Sequence, residues 1–185
     1  LHSAAWAVSQ FTEEMLRPLG RLIQRQGTNV IRAIDPVTEV PDYGLAYDDA
    51  ATETPQAGGT EVWHIVNTTM DTHPIHIHLA TAQILSRQPF DVDAFTDPAG
   101  AVVGGTRVPV MIGVARGPLA TELGWKETFK SNPGEVTTII MKFDLPKTPF
   151  LVPRSPRTGG FEYVWHCHIL DHEEHDMMRP LIIRP

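Results

Sequence analysis

The sequence predicts an all-β domain, a sandwich or small barrel, preceded by a short helical segment. Short runs rich in aromatic and β-branched residues recur at 61–67, 75–85, 136–143 and 161–168. Gly and Pro turn signals separate them. At 185 residues the chain is one domain, or one domain with an appendage, and is long enough to bury a core.

Residues 3–23 form the expected helix. Trp6, Phe11, Met15, Leu19, Leu22 and Ile23 fall loosely at helical spacing, and Pro18 breaks or restarts it. Residues 27–56 are mixed, with Asp35-Pro36, Pro41-Asp42 and Thr54-Pro55 marking turns. The expected division is therefore a helical and linker segment over residues 1–50 and a β domain over 51–185. Residues 96–124 carry much Gly and Pro and little alternation. A loop that long is functional or mobile; it is expected to shape a substrate pocket, the alternative being a flexible connector. No internal repeat or low-complexity tract is evident.

Bulk properties exclude several classes. The formal charge is -7 and no basic cluster stands out, which argues against a nucleic-acid partner. No apolar run approaches the ~18–20 residues of a membrane span. A single cysteine excludes an internal disulfide framework. The chain begins at Leu1 with no charged segment leading into an apolar one, so a processed or partial product is expected.

Seven of the nine histidines lie in two short motifs. One is His73-Pro74-Ile75-His76-Ile77-His78. The other is His166-Cys167-His168-Ile169-Leu170-Asp171-His172-Glu173-Glu174-His175-Asp176-Met177, which holds the lone cysteine. Thiolate, imidazole and thioether make a soft donor set. Two His, one Cys and a weak axial Met suit a blue-type copper centre. Zinc also takes Cys and His, but its structural sites close with four ligands and rarely use Met. Alternation along a strand puts Cys167 on one face with Phe161, Tyr163 and Trp165, and His166 and His168 on the other. His76 and His78 likewise share a face. Pro74 biases His73 toward an extended backbone, so His73 can join Cys167 while His76 and His78 join His166 and His168. His172 and Met177 follow at five-residue steps, near enough to fold back over the Cys side; by reach alone Met178 could serve instead. His64 and His175 are expected to be packing and solvated residues, and Asp171, Glu174 and Asp176 supporting or surface charges.

Both motifs, with Gly124-Trp125-Lys126-Glu127-Thr128 and Asp176-Met177-Met178-Arg179-Pro180, resemble the C-terminal copper motifs of multicopper oxidases. The similarity is to the bacterial spore-coat-type laccases and their bilirubin oxidase and phenoxazinone synthase relatives, over roughly residues 52–185. It implies a cupredoxin-like Greek-key β-barrel, the last of three such domains. It implies that His73, Cys167, His172 and Met177 hold a type 1 copper, that His76 binds a type 2 copper, and that His78, His166 and His168 bind a type 3 pair. Glu173 matches an acid that helps deliver protons during dioxygen reduction. The implied activity is one-electron oxidation of a phenol-like reducing substrate, with electrons passing through Cys167 and dioxygen becoming water. The resemblance also suggests an extracytoplasmic, secreted or spore-surface location.

The chain departs from that pattern in one respect. A trinuclear cluster takes eight histidines, and the family's N-terminal domain supplies four in two His-x-His motifs. Here only His2, His64 and His175 remain, and none forms such a pair. The expected partner is an N-terminal copper-binding domain on another chain or on a missing segment. The alternative is a stand-alone blue-copper electron carrier.

Overall fold

The computed structural model describes residues 4–13, 22–36 and 39–185. Its elements run β1 (Ala4–Glu13), β2 (Leu22–Thr28), β3 (Ala33–Ile34), β4 (Pro41–Asp42), β5 (Gly44–Leu45), β6 (Thr60–Asn67), β7 (His73–Ile77) and β8 (Ala82–Pro89). Then follow α1 (Val92–Thr96), a 3-10 turn at Ala120–Glu122, β9 (Thr128–Ser131), β10 (Glu135–Lys142), β11 (Phe161–Cys167), α2 (Leu170–Glu174) and β12 (Met178–Ile183). One sheet has the order β5-β2-β1-β6-β10-β8, a second has β12-β11-β7-β9, and β3 pairs with β4. The main core lies between the two larger sheets. Trp63 and Ile65 from β6 and Ile139 and Met141 from β10 meet Ile75, Ile77, Trp165, Cys167 and Leu181 from the opposite sheet. Trp63 packs edge-on to Trp165, with ring centroids 5.5 Å apart. This is the expected β-sandwich, and its strands alternate as the sequence demands. Ile75 and Ile77 point inward while His76 faces out, and Trp165 and Cys167 enter the core.

The helix expected over residues 3–23 is corrected by the structure. Residues 4–13 and 22–28 are antiparallel strands, with Ala7 opposite Thr28, and β1 pairs in parallel with β6 on its other edge. Residues 1–3 and 14–21, including the Pro18 break, lie outside the described residues. The apolar spacing was too loose to specify a helix. A strand whose backbone is paired on both edges gains more from long-range hydrogen bonds than from local preference. Ala7 joins the main core and Val8, the next residue, joins a second cluster with Tyr43, Val66 and Phe95. That one-residue alternation belongs to a strand buried on both faces. Where β2 crosses β5 only glycine fits, because a Cβ on Gly27 would lie 1.8 Å from the Tyr43 carbonyl oxygen.

Two further features hold the frame. The 96–124 segment is irregular, as expected, apart from its 3-10 turn. It is anchored by Arg87, whose guanidinium donates to both Glu122 carboxylate oxygens at 2.7 and 3.0 Å. That pair holds the Glu122 carboxyl below its ordinary range, the Arg87 hydrogen bonds outweighing burial. Arg179, fully buried at the start of β12, donates to the carbonyls of Ala46 and Ala50 and lies 3.8 Å from Glu53. It straps the chain before β6 against the strand that follows Met177. No helix among the described residues is long and apolar enough to cross a membrane.

Candidate metal centre

The C-terminal end of β11 carries two groups of metal-ligating side chains, back to back. On the core side, the Cys167 sulfur lies 3.6 Å from His73 Nδ1 and 3.7 Å from His172 Nδ1, and the two Nδ1 atoms are 3.3 Å apart. His73 comes from the start of β7, which pairs with β11 so that Cys167 faces Ile75. His172 comes from α2, a single turn of helix between β11 and β12. After α2, Asp176 adopts φ 68°, a left-handed conformation that Asp tolerates better than most residues. The chain then returns, with Met177 N–H donating to the His172 carbonyl at 2.8 Å and Cys167 N–H donating to the Met177 carbonyl at 3.0 Å. Cys167, His73 and Met177 are fully buried and His172 is 7% exposed.

This arrangement fits one metal ion. Nitrogen at about 2.0–2.1 Å and sulfur at about 2.3 Å around a trigonal centre would set the donors roughly 3.5–3.8 Å apart. The observed separations are near those values. The hydrogen bonds also orient the lone pairs. Asn67 Nδ2 donates to the Ser131 carbonyl, its Oδ1 accepts from the Thr69 hydroxyl at 2.7 Å, and Thr69 Oγ1 lies 2.6 Å from His73 Nε2. With its own proton committed to Asn67, the hydroxyl accepts from His73 Nε2–H. His73 Nδ1 is then the bare nitrogen, aimed at Cys167. Burial, reinforced by the neighbouring His172, lowers the His73 pKa to about 4, so the imidazole is neutral at pH 7. Burial likewise lowers His172. Burial pushes the Cys167 thiol up to about 11, so a metal ion that takes the thiolate displaces a proton. The Ile169 N–H, 3.5 Å from the sulfur, favours that thiolate.

On the other face, His76 sits directly across from His166 in the β7–β11 register. His76, His78 and His166 each offer one ligand atom, all within 4.8 Å of one another. The His168 ring centroid is 5.1 Å from that of His166 and 5.4 Å from that of His76, so all four imidazoles gather at one edge. Here the ring orientation is reversed. His76 Nδ1 lies 3.0 Å from the Glu127 carbonyl and His166 Nδ1 lies 3.0 Å from the Cys167 carbonyl. A carbonyl only accepts, so both Nδ1 atoms carry protons and both Nε2 atoms are free to ligate. His166 and Cys167 are buried, but His76, His78 and His168 are not, and a cleft of about 290 Å³ beside them is lined by His76, His78, Glu127 and Tyr163. Glu173 Oε2 lies 3.5 Å from His166 Nδ1, with its side chain 30% exposed.

All eight metal-site residues expected from the sequence therefore lie in or beside these two groups. His64 stands apart, stacked on Trp6 at 4.4 Å and 3.1 Å from the Thr138 hydroxyl. His2 is outside the described residues. Residues that orient the rings, namely Asn67, Thr69 and the Glu127 carbonyl, and Asp71 beside His172, were not singled out from the sequence as site residues. Nothing in their spacing marks them, because they reach the imidazoles through turns closed by tertiary contacts.

A family model described as multicopper oxidase matches residues 28–185. A laccase of Bacillus subtilis (strain 168) is 41% identical over 137 residues, covering 74% of this chain and 23% of that protein. The multicopper oxidase LPR1 of Arabidopsis thaliana is 38% identical over 154 residues, covering 80% of this chain and 26% of that protein. Among solved structures, the McoA multicopper oxidase of Aquifex aeolicus superposes with a TM-score of 0.56 at 19% identity, over 97% of this chain and 29% of that one. A laccase from Pediococcus acidilactici gives 0.56 at 21% identity, over 100% of this chain and 27% of that one. The chain thus spans about a quarter of the length of its curated relatives.

Proposed function

The chain belongs to the multicopper oxidase family, and on that premise we propose that it is the copper domain that both accepts electrons and supplies half of a trinuclear cluster. Copper is the cofactor the family implies, and it supplies one-electron redox chemistry when bound. In this reading His73, Cys167 and His172 would hold the type 1 ion with Met177 as a further donor, and His76, His78, His166 and His168 would hold their share of the type 2 and type 3 ions. The whole assembly would couple one-electron oxidation of phenolic-type small molecules to reduction of dioxygen to water.

The observation that carries this reading is the back-to-back arrangement at the end of β11. Cys167 is flanked in sequence by His166 and His168, so a single covalent run joins the two ligand groups. Its peptide carbonyl also accepts from the His166 ring. Core packing around Cys167 and Met177 excludes water from the first group. The second group opens on a cleft, where a domain bearing further histidines can complete it. Glu173, with a carboxyl oxygen 3.5 Å from the His166 ring, stands beside that group and would relay protons there. The partner is then a histidine-bearing copper domain, whether on the same polypeptide or on another.

Copper per chain, measured by elemental analysis on copper-loaded protein of known intact mass, tests the division of labour. One strongly held copper with blue absorption is expected for the chain alone. Additional strongly held copper should appear only with a histidine-bearing partner. Copper uptake without blue absorption would defeat the type 1 reading.

A further inference from the structure

The turn between β6 and β7 places a carboxylate at the one edge of the buried site that meets solvent. Cys167, His73 and Met177 are fully buried, and His172 alone among these four has an exposed edge. Its Nδ1 faces Cys167, so Nε2 is its outward atom. Asp71 Oδ2 lies 3.9 Å from that Nε2, and the Asp71 side chain is 52% exposed. The gap is too long for a direct hydrogen bond. The carboxylate is therefore available to a donor that approaches the imidazole edge.

Asp71 is held in place. Its carbonyl accepts from Asn67 Nδ2 at 2.8 Å, its N–H lies 3.3 Å from Thr69 Oγ1, and Asn67 is fully buried and tied to the Ser131 carbonyl. One turn thus gives a neutral hydroxyl to the buried imidazole, His73, and an anionic group to the outward one, His172. The ionisable groups acting on His172 are Asp71, then Asp171, and His175. Met70, next to Asp71, is 89% exposed and offers an apolar rim.

Resting on the type 1 reading above, we propose that Asp71 is the charge-selecting residue for reductants at the His172 edge. It favours cationic donors and neutral donors that present an O–H or N–H, such as phenols and arylamines, and it disfavours carboxylated or otherwise anionic ones. The reaction it serves balances simply. A phenol would give up one electron to the one-electron acceptor that Cys167, His73 and His172 would hold, and its O–H proton would pass to water, leaving a phenoxyl radical. Asp71 acts on the approach and orientation of the donor and is a specificity residue.

The test uses the full copper-loaded chain and follows anaerobic bleaching of its blue absorption by stopped flow. The probes are hexaammineruthenium(II), a cation, and hexacyanoferrate(II), an anion, at low and at high ionic strength. In Asp71→Asn, the rate with the anion should rise and the rate with the cation should fall, each about threefold to tenfold at low salt. The contrast should shrink at high salt, where exposed charges are screened. Asp71→Lys should widen the change, and Asp93→Asn, an exposed acid on α1, should leave the ratio unaltered. Removing the negative charge should also raise the reduction potential of the blue site, which alone would speed both probes equally. A parallel change in both rates, or an unchanged ratio, would overturn the selecting role. Copper uptake without a blue band in the unsubstituted chain would instead overturn the type 1 reading, and this inference with it.

Discussion

The two ligand groups on β11 share a strand and a chemistry of imidazole, yet they present opposite ring nitrogens. On the buried face, side chains engage or face the Nε2 atoms of His73 and His172, and Nδ1 faces the metal position. On the open face, backbone carbonyls hold the Nδ1 atoms of His76 and His166, and Nε2 faces the cleft. Nδ1 lies closer to the backbone than Nε2, so ligation through it draws the metal position in toward the core. Ligation through Nε2 projects the donors outward, to where another domain can meet them. On the proposed reading, the choice of nitrogen separates a site that one chain would complete from a site that it would only begin.

The largest blow to one side of this contrast is Cys167→Ser. It should abolish the blue absorption completely, since that colour arises from the thiolate–copper bond, and leave the open group's histidines in place. A variant that stays blue would remove Cys167 from the buried site. Glu173→Gln acts on the other side. In the assembly completed by its partner, dioxygen reduction should slow about a hundredfold, in the range of a lost proton donor, while reduction of the blue site by substrate is unchanged. Equal slowing of both steps would refute a proton role confined to the open face.

Acid should discriminate the buried face without any substitution. His73 has its pKa lowered by burial and by His172, to about 4 from 6.5. Between those values the unfolded chain binds a proton that the folded metal-free chain does not. Stability is therefore present above about pH 6.5 and is lost as pH falls toward 4. From this group alone the loss at pH 5 is about 2 kcal/mol. Urea unfolding of metal-free protein at pH 7 and pH 5 measures it, and a His73→Gln variant with an unchanged slope would assign the loss elsewhere. The mildest expected effect comes from Thr69→Val, which takes away the acceptor that fixes the His73 tautomer. Copper affinity at the blue site should weaken about tenfold, as for other groups that orient a ligand. Copper held by the open group in the completed assembly should be unaffected, and a loss there too would blur the separation of the two faces.

Much of this arrangement was legible in residue order. Strict alternation in β11 and the His-x-His spacing in β7 are properties of the extended chain, so the two faces could be assigned before any contact was known. The 75–85 run reads as a single strand-like stretch because no Gly or Pro interrupts it. The structure divides it into β7 and β8 across residues 78–81, where Leu79 takes φ 70°. Residues 4–13 misled for the opposite reason. Their helical spacing is a local pattern, whereas their strand identity is settled by β2 on one side and β6 on the other. The α2 turn and the contacts of Thr69 and Asp71 were hidden because they are fixed by closure of loops onto His73 and His172. No short sequence window contains both partners.

Arg179 has a bearing on how small this protein could be made. The terminal nitrogens of its fully buried guanidinium donate to the Ala46 and Ala50 carbonyls, and the group lies beside Glu53. A chain trimmed to begin after residue 53 would keep every proposed metal ligand and still strand that cation without its acceptors. Breaking a buried ionic contact costs about 3–5 kcal/mol, much of what a domain of this size has to spare. Miniaturising this metal site therefore has a floor set by an arginine two residues after Met177, which no ligand inventory would include.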